Sequence, residues 1–437
     1  MWSEIRDQMW PPARDGGGPM MATSLTPADL GAVEGLLGPV DARLARDYPG
    51  EDTSRQPVHT VYVPADRYRA GLAQEWGERA RQAVTDAGGI DAVLDAAAVP
   101  APVRPAVGAR VLAKLAAEPV EDLRIDLEDG YGDHGDAEDD VAVAAARSLR
   151  RELVTGAATP FAGIRFKSLE APTRARALRS LDLFLTALVA DGGLPDGLRL
   201  TLPKVTAVEQ VEAMVAVCER LEAALGEPAG RLCFEVQVET PQAVLGPDGT
   251  AGVARIIRAG GGRVDVLHYG TYDYSASLGI AAAHQSLEHP AADHAKAVMQ
   301  VAAAGTGVRL SDGSTNVLPV GTPAQVRDAW ALHARLVRRS LERGYYQGWD
   351  LHPGHLPSRF AATYAFYRHG LDEAAGRLRA YLDRVPGAVL DEPATARALA
   401  WFLARGLDCG AVGAGELADR GLPPEALTTL VRPGRGS

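Results

Sequence analysis

The stretch RLTLPKVTAVEQ, residues 199–210, decides how this chain is read. It opens as a short β-rich run and turns at Pro203 and Lys204. It then restarts at Thr206 with Glu209 three residues on, the spacing of a capping box that satisfies free backbone N–H groups at a helix start. A strand followed at once by a capped helix is a βα unit. Seven further β-rich runs share the rhythm: VHTVYVP (58–64), LRIDLED (123–129), GIRFKS (163–168), CFEVQVET (233–240), VDVLHYG (264–270), VRLSDG (308–313) and YQGWDLHP (346–353). Helix signals fall between them, including Thr240 before Pro241 and a Thr-capped segment from TPAQV to Gly344. Strict alternation calls for a parallel sheet, and eight units over about 300 residues, near the ~250 usual for closed βα barrels, predict a TIM (β/α)8 barrel rather than an open doubly wound sheet.

The divisions follow. Residues 1–57 read as an N-terminal tail and a helix capped by Thr26 and Pro27, residues 58–369 as the barrel, and residues 370–437, which lose their strands, as a C-terminal helical cap. No GxGxxG follows a strand and no GxxxxGK[ST] occurs, so the common nucleotide fingerprints are missing.

Composition narrows the function classes. The chain of 437 residues is 46% hydrophobic and carries a formal net charge of -11, a field that repels nucleic acid and anionic membrane. No apolar run reaches membrane-spanning length and the N-terminus does not resemble a secretory signal, so a cytoplasmic protein is expected. Cys218, Cys233 and Cys409 lie far apart without a CxxC, which predicts buried thiols. Only Lys114, Lys167, Lys204 and Lys296 are lysine, so each one is worth locating.

In a TIM barrel, chemistry collects at the C-terminal ends of the strands. There the sequence offers Asp126, Glu128 and Asp129, then Arg165 and Lys167, Lys204, Glu239, Asp273, Asp312 and His352. Carboxylates hold a hard divalent cation, and arginine holds a carboxylate bidentately.

The series VYVPADR, RIDLEDGYG, IRFKS, LPKVTAVEQ, VETPQAVLG, HYGTYDYSASLG, GYYQGWDLHPGHL and VLDEPATARA resembles, in order and spacing, the HpcH/HpaI aldolase and citrate lyase β-subunit family, over roughly residues 58–400. That family includes malyl-CoA and citramalyl-CoA lyases on a phosphoenolpyruvate/pyruvate-type barrel. The resemblance implies that Glu239 and Asp273 bind Mg²⁺ (Mn²⁺ as a substitute), that Asp126, Glu128 and Asp129 orient its waters from an outer layer with Lys204 nearby, and that Arg165 grips a 2-oxo acid. It also implies that Asp391 acts as general acid/base at a neighbouring subunit, hence a homo-oligomer, a trimer or hexamer. Here lysine, Lys167, stands where the family's R-x-N motif has asparagine, which marks a divergent subfamily and makes Lys167 a further substrate-binding candidate.

Each residue also has a structural reading: Glu239 as a strand-end acid before the Pro241 helix, Asp273 as a loop acid, Arg165 as a partner for the LED acids, Asp391 as a cap before Pro393. The run DHGDAEDD (133–140) reads as a solvated loop and helix start. The expected activity is a Mg²⁺-dependent carbon–carbon lyase working through a 2-oxo acid or acyl-CoA enolate. The alternatives are a Schiff-base aldolase using Lys167 or Lys204, an acyl-CoA thioester hydrolase, and a non-catalytic metabolite-binding barrel.

Overall fold

The computed structural model describes residues 24–190, 192–384 and 392–431. Eight parallel strands form one sheet in the order β7-β6-β5-β4-β3-β2-β1-β8. They are β1 (His59–Pro64), β2 (Asp122–Asp126), β3 (Phe161–Arg165), β4 (Leu198–Leu202), β5 (Phe234–Val238), β6 (Val264–Tyr269), β7 (Arg309–Ser311) and β8 (Gly348–Trp349). A parallel bridge between Ser311 and Gln347 joins the two edge strands, and the ring closes. All eight expected runs are strands of this barrel.

Apolar side chains such as Val61, Leu123, Ile164, Leu200, Val236 and Leu267 point outward under the helices and are buried. The inward positions are polar, and the site below is built on them. The helix after β4, Val208–Leu225, starts one residue later than its sequence signal suggests. Ala207 is the cap, and Gln210 rather than Glu209 reaches back, accepting from the N–H groups of Thr206 at 2.8 Å and Ala207 at 3.2 Å.

The N-terminal helix Pro27–Asp47 is capped by Thr26 and buries none of its residues. At the other end, Leu356–Leu382 is one continuous helix of 27 residues, so the barrel's last helix runs through the expected boundary at 369/370 and the C-terminal helices begin beyond it. Helix Pro393–Asp408 packs back along it, with the Phe402 ring 5.1 Å from Tyr367 and 5.6 Å from Phe366. Those helices therefore lie at the N-terminal face of the barrel, opposite the strand ends that carry the rim. No helix among the described residues is long and apolar enough to cross a membrane. The three cysteines are free.

Candidate active site

Glu239 follows the last residue of β5 and is buried. Its Oε1 accepts from the Lys204 backbone N–H at 2.7 Å. Burial, then the neighbouring Asp273 and Glu128, push its carboxyl up to about 8, against the pull of Arg165 and Lys204. Asp273 sits in the first turn of helix Thr271–Ser277 beyond β6, exposed, without a hydrogen-bond or ion-pair partner among the described residues. Gly270 lets the backbone entering the Asp273 helix pass against Glu239: a Cβ there would stand 2.5 Å from the Glu239 Cβ and 2.7 Å from its Oε2.

The LEDG turn is built around Asp126. Its carboxylate takes Arg165 bidentately, Nε and Nη2 each at 2.7 Å, and accepts from the N–H groups of Glu128 and Gly130 at 3.0 Å. A Cβ on Gly130 would meet Asp126 Oδ2 at 2.5 Å, so glycine belongs there. Arg165 is buried. Burial opposes its charge, but Asp126 outweighs that and keeps the guanidinium firmly ionised. Its Nη1 lies 3.4 Å from Glu128 and 3.4 Å from Gln237 Oε1, and its plane rests 4.6 Å from the Tyr62 ring centroid and 5.4 Å from that of Trp349. The structural reading of Arg165 is seen directly: one edge is held by Asp126, while Nη1 has only long contacts.

Both rim lysines are engaged. Lys204, at φ 51°, bonds Glu128 and reaches both Asp129 oxygens at 2.7 Å. Burial alone would lower its ammonium, but Glu128 and Asp129 raise it above the usual lysine value. Lys167 donates to the carbonyls of Leu127 at 2.6 Å and Gly132 at 2.8 Å and pairs with Glu138 at 2.8 Å. A Schiff base needs a free amine; both lysines are instead held against carboxylates. Glu138 also corrects the reading of the acidic run as solvated. It is fully buried, accepting from Ser180 at 2.6 Å, because the lysine at position 167 needs a counter-charge.

Beneath the rim lies a polar column that the sequence reading missed. Arg124 bridges Asp122 at 2.7 Å and Glu235 at 3.2 Å; Glu235 accepts from Tyr62 at 2.6 Å and Thr201 at 2.8 Å. Gln237 donates to Tyr62 at 3.3 Å and contacts Arg165 on its other face. The guanidinium is therefore positioned from below by an unbroken hydrogen-bonded chain. The signal was present as polar residues at every second position, RID in β2 and EVQVE in β5.

Two other rim candidates are structural. Asp312 is buried against Lys296 at 3.0 Å and Ser340 at 2.6 Å, and His352 caps the turn at Gly354. Asp391 lies outside the described residues. It directly precedes Glu392, the cap of helix Pro393–Asp408.

Mg²⁺ is usually held by one or two carboxylates together with waters and substrate oxygens. The residues present fit it: hard oxygen donors, one of them a buried carboxyl pushed up by its neighbours, the other without a partner. Among the described residues no group of three or more His, Cys, Asp or Glu side chains forms a complete cage.

A family model, the domain of unknown function DUF6986, matches residues 37–433. No curated protein matches the chain. Among solved structures, a citrate lyase from Burkholderia xenovorans LB400 is similar with a TM-score of 0.58 and 19% identity, over 85% of this chain and 98% of that one. A malate synthase from Haloferax volcanii gives 0.49 and 13%, over 88% and 99%. CitE from Mycobacterium tuberculosis, in complex with magnesium, acetoacetate and coenzyme A, gives 0.45 and 19%, over 82% and 100%. The likeness to the citrate lyase is one of fold.

Proposed function

The chain belongs to the DUF6986 family, and we propose that it is a Mg²⁺-dependent carbon–carbon lyase that works through the enolate of a 2-oxo acid or an acyl-CoA. The observation that carries this reading is the pairing of Glu239, buried with its carboxyl pushed up to about 8, with the unpartnered Asp273 at the rim, beside a charged Arg165. Two acids brought together at such a cost are explained by a cation between them. Held by Glu239 and Asp273, Mg²⁺ would supply positive charge where the enolate oxygen develops its negative charge.

The chain's own residues do the rest. Arg165, fixed by Asp126 and seated on Tyr62, directs its Nη1 edge at a substrate carboxylate or enolate oxygen, and its preset orientation costs no reorganisation as charge develops. Lys204 neutralises Glu128 and Asp129, which keeps the outer acids from repelling an anionic substrate. Asp391 of a neighbouring subunit moves the proton.

Titration calorimetry with Mg²⁺ tests the metal half of the reading. Wild-type protein is expected to bind one ion per chain, and Glu239→Gln and Asp273→Asn to lose that binding. Equal binding by both variants would place the metal elsewhere. Cleavage assays on 2-hydroxy acids and their CoA thioesters then separate the lyase from the hydrolase, which releases CoA without a keto-acid product.

A further inference from the structure

On the face opposite the rim, the N-terminal ends of β1, β7 and β8 and helix Pro393–Asp408 line a half-open cavity of about 370 Å³. Metabolite sites span roughly 300–1,000 Å³. Arg309 in its wall is fully engaged, pairing with Asp52 at 2.7 Å and donating to the carbonyls of Ser54 at 2.6 Å and Arg55 at 3.1 Å. Arg405 is not. Its guanidinium lies 4.0 Å from the Tyr346 ring centroid and 4.7 Å from that of Trp401, and among the described residues its side chain has no hydrogen-bond or ion-pair partner. Asp408, three residues further along the same helix and also lining the cavity, has none either.

Opposite charges at this spacing are neighbours on a helix and can pair. Here the two rings hold the guanidinium, and among the described residues neither Arg405 nor the exposed Asp408 has a hydrogen-bond or ion-pair partner, although the charges of Arg55, Arg309 and Arg405 act on Asp408. A simple anion there would meet Arg405 but be repelled by Asp408; a simple cation would meet the reverse. A ligand carrying both charges satisfies both. We propose that this cavity binds a free α-amino acid, its carboxylate on Arg405, its ammonium on Asp408 and its side chain against Trp401 and Tyr367. A planar guanidinium already oriented by stacking suits a bidentate carboxylate.

Titration calorimetry on the full chain with the protein amino acids decides it, with butyrate and butylamine as single-charge controls. At least one amino acid is expected to bind once per chain, with both controls weaker by about tenfold or more, and Arg405→Gln and Asp408→Asn each to weaken it by about tenfold or more. Ala398→Trp, which fills the cavity from an exposed helix position, is expected to abolish binding even if Arg405→Gln fails to fold; Glu239→Gln at the rim is expected to leave it unchanged. Absence of millimolar binding by any amino acid, binding that survives Ala398→Trp, or butyrate binding as tightly as the best amino acid would each overturn the proposal.

Discussion

At Glu239 the carboxyl that ordinarily ionises near 4.5 is pushed up to about 8, and burial with Asp273 and Glu128 is the reason. The sign of the consequence is fixed. Between those two values the folded, metal-free chain holds a proton that the unfolded chain has lost, so stability falls as pH rises through this window. In EDTA the protein should melt lower near about pH 9 than near about pH 6, by the equivalent of a few kcal/mol at most. Glu239→Gln should flatten that slope, and melting curves of the two proteins across pH check it. Gly270→Ala should cost about 10²-fold or more in activity with a small change in melting, because the new Cβ would displace Glu239 rather than open the core. Single-residue legibility was uneven. Glu239 and Asp273 stood out through the order of motifs around them, whereas Tyr62, Arg124, Glu235 and Gln237 were passed over, because polar alternation in a strand shows that its two faces differ but not that the polar one turns inward until the barrel closes.

Elements were easier to read, since parallel strands buried on their outer face appear as compact apolar runs with turn residues after them. Boundaries were less legible: Gln210 took the cap role expected of Glu209, and the last barrel helix continues past residue 369. The weakest strand, β8, has two residues, and side chains hold it more than the ladder does. Just beyond it, Asp350 gathers His59 at 2.9 Å, His333 at 3.0 Å and Arg359 at 2.8 Å, which ties β1, β8 and two helices together without solvent. Burial opposes its charge, but Arg359 and the two histidines hold its carboxyl well below the usual range. Removing one member of such a buried cluster leaves charge uncompensated, so Asp350→Ala should cost about 3–5 kcal/mol in urea unfolding while Mg²⁺ affinity measured on the folded protein changes little.

At the scale of the molecule, the two ends of the barrel are divided in role. The rim carries the acids and Arg165; the C-terminal helices lie against the other end. Helix Leu356–Leu382 leaves the rim and descends, and its 27 residues span about 40 Å at 1.5 Å each. Pro393–Asp408 runs back beside it from the far end, so its cap Glu392 lies about 30 Å along the helix from Leu356. In the proposed mechanism Asp391 is assigned to a neighbouring chain's rim. Mixed oligomers of Asp391→Asn and Glu239→Gln should recover activity that neither variant has alone. Recovery is absent if the residue acts within its own chain. The central claim is tested most directly by following deuterium exchange into pyruvate by NMR, with Mg²⁺, with EDTA and with Glu239→Gln. Exchange that requires the metal and is lost in the variant is the predicted result; exchange indifferent to EDTA and to Glu239→Gln would contradict it.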